Sequence, residues 1–224
     1  MKDLTILFLT VNEVPAQWAE FQKQTLLKAV GDSPIITMSM KPLDWGLNIL
    51  QDRPKSLSNI YWQMLRGAKL ADTEFIGIAE DDTLYNAEHF CPRPASNEFA
   101  YNMCHWSLFT WGEPTYHWRH RHGNYSLIAP RVLMIEALEE RFEMYPNGTP
   151  DDRTGELGRF RVEKYLKLTP RKLKEFWTTV SIVNFQHDYS MEDYQRRHVK
   201  RRAALRAYEI PYWGRADKLV ENFK

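Results

Sequence analysis

From Thr5 to Val11 the chain is almost continuously apolar and rich in aliphatic and β-branched side chains. A run without alternation reads as a strand buried on both faces, as in parallel sheets. Thr10-Val11-Asn12-Glu13-Val14-Pro15 breaks it. Trp18, Phe21, Thr25, Leu26 and Ala29 then recur at helical spacing, and Gly31-Asp32 closes that helix. Pro34 to Met38 predicts a second strand, and the polar stretch to Lys55 a loop. Ser56 or Ser58 can cap a helix that carries Leu57, Ile60, Tyr61, Met64, Leu65 and Ala68 on one side. Phe75 to Ala79 predicts a third buried strand, running into Glu80-Asp81-Asp82. Residues 1–85 therefore alternate strand and helix, an α/β pattern.

The rest is less regular. Phe99 to Trp111 is aromatic and strand-like, Tyr125 to Ala129 predicts a short strand, and Val132 to Phe142 a helix. Thr169-Pro170 has the form of a helix start, with proline in the first turn. Ser181 to Phe185 predicts a last strand. Ser190 followed by Asp193 resembles a capping box and opens a basic helix through about Tyr208. No repeat or linker interrupts the chain. The expected organisation is one compact domain over residues 1–188 and a basic helical extension over 189–224.

At 224 residues the chain can bury a substantial core. Its 43% hydrophobic and 26% charged residues are ordinary for a soluble globular protein and argue against disorder. No apolar run reaches the roughly 18 residues of a membrane span, so no membrane partner is expected. The opening residues lack the form of a secretory signal. Two cysteines, Cys91 and Cys104, make no disulfide framework, so a reducing cytoplasm is expected. A net charge of +1 means that affinity for nucleic acid has to come from local patches.

Three adjacent carboxylates after a buried strand, Glu80-Asp81-Asp82, repel one another. They are tolerable in a solvated turn, as a helix cap, or around a hard divalent cation, which favours carboxylate oxygen. In open α/β sheets, ligands bind outside the carboxyl ends of the strands. His187 follows the last predicted strand and reads either as a structural hydrogen bonder or as a ligand.

The surroundings of the triplet bear on the choice between these readings. Asn59-x3-Gln63-x2-Arg66-Gly67-Ala68-x2-Ala71-Asp72-Thr73-Glu74-Phe75-Ile76 leads into it. A helix with a small-residue face, a short acidic turn and a strand ending in acids resembles the nucleotide-sugar half of type A glycosyltransferases. That resemblance implies a Rossmann-related central mixed sheet flanked by helices, with residues 1–85 as the nucleotide-sugar half and 86–188 as the acceptor half. It makes Glu80-Asp81-Asp82 the counterpart of the DxD motif, with Glu80 where the first Asp is usual. Asp82 and His187 become the metal ligands for Mn2+ or Mg2+. Thr10, Asn12, Glu13, Lys55, Ser56, Asn59, Glu80 and Asp81 become contacts to the nucleoside-diphosphate sugar, with UDP the expected nucleotide. Glu156, in Thr154-Gly155-Glu156-Leu157-Gly158-Arg159, resembles the catalytic carboxylate of inverting members, with Asp151 and Asp152 as rivals.

Two features bear on the acceptor. Tyr116-His117-Trp118-Arg119-His120-Arg121-His122 interleaves rings and cations, which suits bases stacking on rings and guanidinium planes, though a solvated hairpin edge is the plain alternative. Arg196 to Arg206 is densely basic, either a phosphate-binding surface or a solvated helix. The chain resembles the small enzymes that glycosylate 5-hydroxymethylpyrimidines in bacteriophage DNA. That resemblance implies DNA as acceptor, with His117, Trp118, Arg119, Arg121, Arg197 and Arg201 contacting it, a monomer or weak dimer, and the host cytoplasm as the place of action. A saccharide or protein acceptor, or a non-catalytic nucleic-acid-binding domain, are the alternatives. The sugar and the stereochemistry are not legible, and Glu156 as base assumes inversion.

Overall fold

The computed structural model describes residues 2–118, 120–150, 155–187 and 205–223. The fold is a mixed α/β arrangement built on two sheets. The first has seven strands in the order β10-β6-β9-β4-β1-β2-β3. Its parallel half consists of β1 (Leu4–Thr10), β2 (Ile35–Ser39), β3 (Leu47–Leu50) and β4 (Phe75–Glu80). On the other side of β4 lies the antiparallel β9 (Leu127–Pro130), followed by β6 (Glu98–Asn102) and its parallel neighbour β10 (Lys172–Phe176).

The unbroken apolarity of β1 follows from its place. Leu7 and Leu9 face one core, shared with α2 (Leu57–Leu70) and α3 (Arg131–Met144). Leu4, Ile6 and Phe8 face a second, covered by α1 (Ala16–Val30). Ser56 caps α2, its side chain accepting from the Asn59 amide at 3.0 Å. The close approach of α2 to β1 depends on Gly67, where an added Cβ would lie 2.9 Å from both methyl carbons of Leu7.

The second sheet has the order β12-β8-β7-β11-β5. It comprises β5 (Thr83–Leu84), β7 (His105–Phe109), β8 (Tyr116–Trp118), β11 (Ile182–Gln186) and β12 (Arg206–Ala207). Residues 205–223, assigned to the extension in the sequence reading, add β12 to this sheet. They continue through a small β13–β14 hairpin (Glu209–Ile210 and Gly214–Arg215) to α5 (Ala216–Glu221). Ile210, Leu219, Val220 and Phe223 pack with Trp18, Val183 and Phe185 in a third core. Residues 188–204, most of the predicted basic helix, lie outside the described residues, and Arg206–Ala207 are strand rather than helix.

Two further expectations are corrected. The stretch read as loop before Lys55 contains β3, an edge strand held by the backbone of β2. The helix start at Thr169-Pro170 is absent. The short helix α4 (Phe160–Tyr165) precedes it, and the residues after Pro170 form β10 instead. Pairing with β6 overrides the proline signal there, since propensity is a weak prior against tertiary contact. No helix among the described residues is long and apolar enough to cross a membrane.

Candidate active site

Parallel register puts Leu9 of β1 beside Glu80 of β4, so both strands deliver their carboxyl ends to one edge of the first sheet. A cleft opens there. Thr10, Glu13, Lys55, Ser56, Asn59, Glu80, Asp81, Asp82 and His187 all line it, as do Gln51 and Gln63. Of the expected nucleotide and metal residues, Asn12 alone is not among its walls. It takes a left-handed backbone (φ 57°), its amide donates to Thr10 Oγ1 at 2.8 Å, and its side-chain oxygen accepts from the Lys41 amide.

The acids are held individually. Thr10 Oγ1 donates to Asp81 Oδ2. Trp18 Nε1 donates to the Asp81 carbonyl at 2.7 Å, and Gln22 Nε2 donates to the carbonyls of Glu80 and Thr83. The Glu80 amide donates to Tyr85 Oη, which donates in turn to the Tyr125 carbonyl. Asp82 Oδ1 accepts from Thr83 Oγ1 at 2.9 Å and from Asn184 Nδ2 at 3.0 Å. Asp82 Oδ2 lies 3.8 Å from His187 Nε2.

Burial and mutual repulsion shift the acids upward. Desolvation, then the charge of Asp81, pushes the Asp82 carboxyl up to about 7. Desolvation raises Asp81 to about 6 against its bond from Thr10, and Glu80 stands well above the ordinary carboxylate range. The Arg121 guanidinium partly offsets this at Glu80 and Asp82. Desolvation lowers His187 to about 4, keeping its imidazole neutral and able to ligate. A cluster of this kind is relieved by protons or by a cation.

Among the described residues, no three His, Cys, Asp or Glu side chains gather to hold a metal ion alone. Asp82 and His187 do fit a two-ligand site. Their 3.8 Å separation is less than twice the roughly 2.1 Å bond of a hard divalent cation, and the carboxylate supplies the oxygen that such a cation favours.

Along the wall formed by β1, β2 and α2 runs an amide relay. Gln51 Nε2 donates to the Thr10 and Met38 carbonyls, Asn59 Nδ2 to Gln51 Oε1 at 2.7 Å, and Gln63 Nε2 to Asn59 Oδ1 at 2.7 Å. Lys55 pairs with Glu13 at the rim. The sequence reading passed over Gln51, Gln63 and Asn184 as site residues, because a neutral amide leaves no charge pattern to find.

The acceptor candidates do not converge in the same way. His117 is fully buried, bonded to Thr115 Oγ1 at 2.9 Å and set edge-on to Phe109. Trp118 is partly exposed, 5.9 Å from His120, whose ring stacks with Trp177 at 6.3 Å. The charge of Arg121 slightly favours the ionised forms of Glu80 and Asp82. Glu156 stands outside the cleft lining, paired with Arg159 at 2.7 Å. Asp151, Asp152, Arg119, Arg197 and Arg201 lie outside the described residues.

No protein-family model matches the chain, and no curated protein matches it. Solved structures do. HddC from Yersinia pseudotuberculosis is 14% identical, with 89% of this chain and 99% of that one covered and a TM-score of 0.46. A glycosyltransferase involved in glycosylation of the major capsid of PBCV-1 is 12% identical, with 88% and 98% covered and a TM-score of 0.46. The glycosyltransferase GlyE of Streptococcus pneumoniae TIGR4 is 9% identical, with 77% and 45% covered and a TM-score of 0.46.

Proposed function

We propose that the protein is a glycosyltransferase that moves a sugar from a nucleoside diphosphate, UDP foremost, to a hydroxyl acceptor. One observation carries the reading. Asp81 and Asp82 at the end of β4 meet His187 beyond β11 in one cleft at the carboxyl ends of β1 and β4. Such a place in an α/β sheet is where ligands bind, and a strained acid cluster there has a use that a plain turn does not.

In this reading the nucleoside lies along the uncharged wall that Thr10, Gln51 and Asn59 form. Asp82 Oδ2 and His187 Nε2 hold Mn2+ or Mg2+, which supplies positive charge against the diphosphate. Arg121 adds a fixed cation on the same side. The acceptor oxygen attacks the anomeric carbon, the bond from that carbon to the diphosphate oxygen breaks, and the nucleoside diphosphate leaves with the electron pair. Glu156, with Asp152 as its rival, receives the acceptor proton in an inverting reaction.

The acceptor we favour is a 5-hydroxymethylpyrimidine in DNA. Exposed rings at His120 and Trp177, with the half-buried Trp118 beside them, suit a base, and the arginines around Arg197 and Arg201 suit phosphate. One observation favours a saccharide acceptor instead: the Glu175 carboxylate sits among these rings, 2.9 Å from His122 Nε2. Mass spectrometry of hydroxymethylated DNA and of oligosaccharides, each incubated with a panel of activated sugars, separates the two. Absence of any sugar addition, together with no thermal stabilisation by UDP and Mn2+, refutes the transferase reading.

A further inference from the structure

The strand that delivers His187 also grips Asp82. β11 pairs antiparallel with β5 so that Asn184 lies opposite Thr83, and the Phe185 amide donates to the Asp82 carbonyl at 2.7 Å. Asn184 is 2% exposed. Its Nδ2 donates to Asp82 Oδ1 and to Thr83 Oγ1, each at 3.0 Å, while Thr83 Oγ1 donates to the same Oδ1 at 2.9 Å. The other end of the amide is occupied as well, because Asn184 Oδ1 accepts from Gln186 Nε2. The carboxylate sets which way the amide faces: ionised Asp82 only accepts, so the Asn184 nitrogen meets it and the oxygen turns to Gln186.

The result is a divided carboxylate. Oδ1 is saturated by two donors, and Oδ2 remains on the side of His187, 3.8 Å from Nε2. We infer that Asn184 is a positioning residue that fixes the Asp82 carboxylate so that Oδ2, rather than both oxygens, is presented with His187 to the cation. The inference rests on the metal reading above. Asn184 lies 102 residues beyond Asp82, yet only three before His187, so one strand sets both arms of the site. Releasing the carboxylate lets it rotate, and the two ligands no longer face one point.

The test is calorimetric titration of Mn2+ into the full chain in the presence of UDP, with melting temperature measured in parallel. Wild type is compared with Asn184→Leu, which keeps the branched shape and removes the donor, and with Asn184→Ser, a smaller side chain should the leucine variant fail to fold. Gln186→Ala, which frees the amide to flip, completes the set. The expected result is a 10–100-fold weaker Mn2+ affinity in the Asn184 variants and a smaller loss in Gln186→Ala, with UDP binding in EDTA unchanged. A residue of structural importance alone would lower the melting temperature and leave the Mn2+ affinity as it was. Wild-type affinity in folded Asn184 variants overturns the inference while the metal reading stands. No Mn2+ binding by wild type, with UDP present, removes the metal reading and the inference with it.

Discussion

α2 contributes Asn59 and Gln63 to the cleft wall and packs on β1 at Gly67, and a double-mutant cycle at Gly67 and Leu7 measures how tight that packing is. A methyl group at Gly67 would lie 2.9 Å from both Leu7 methyl carbons and 3.4 Å from Cγ, well inside ordinary contact, and Leu7 is fully buried. Gly67→Ala gains about 1 kcal/mol of helix propensity, set against an overpacking cost of about 1–3 kcal/mol. Net destabilisation of up to about 2 kcal/mol follows from these two magnitudes. Leu7→Ala alone should cost about 2–5 kcal/mol. In the double variant the new methyl enters the space that Leu7 vacated, the clash is gone and the propensity gain remains. The pair should therefore be more stable than Leu7→Ala alone, with a coupling of about 1–3 kcal/mol. Urea unfolding of the four proteins at equal m-values reads this directly. Gly67→Ala should also weaken UDP binding, because α2 begins with Ser56 and Asn59 in the cleft wall. Additivity within about 0.5 kcal/mol would refute the close-contact argument.

Three other predictions concern chemistry and charge. Asp82→Asn should lose Mn2+-dependent thermal stabilisation in the presence of UDP; a shift equal to wild type would move the metal elsewhere. Glu156→Gln should abolish transfer and leave UDP binding intact, and a variant that still turns over would remove Glu156 as the base. His89 is fully buried against Phe90 and Phe176, and desolvation lowers its pKa from 6.5 to about 3. The unfolded chain takes up a proton below pH 6.5 and the folded one only near 3, so stability falls as pH falls through that window. The slope is about 1 kcal/mol per pH unit. The stability advantage of wild type over His89→Gln should shrink between pH 6.5 and 4.5; a constant difference would contradict the assignment.

The first 85 residues were legible because their signals are physical necessities. β1 lies between two cores and had to be apolar on both faces, and Ser56 had to cap a helix whose first amides lack partners. The acid triplet stood out because repulsion needs a reason. Elements held by partners rather than by pattern were lost. β10 exists through β6, and β3 is an edge strand with Leu47 and Leu50 exposed. His117 was expected to contact the acceptor beside Trp118, but β8 is covered on both faces there, Tyr116 and His117 both being fully buried. Asn184 and Gln51 carry no charge and no spacing signal, so only coordinates connect them to the acids.

Phe223, just past α5, stacks on Phe185 at 5.5 Å and lies 5.0 Å from the His187 ring, with Trp18 of α1 closing the group at 4.9 Å. The imidazole is thus backed by residues drawn from opposite ends of the described chain. The parallel strands and their acids make no use of Phe223, whereas the histidine is backed by it, so removing residues 205–223 would strip the support from His187 while leaving the first sheet standing.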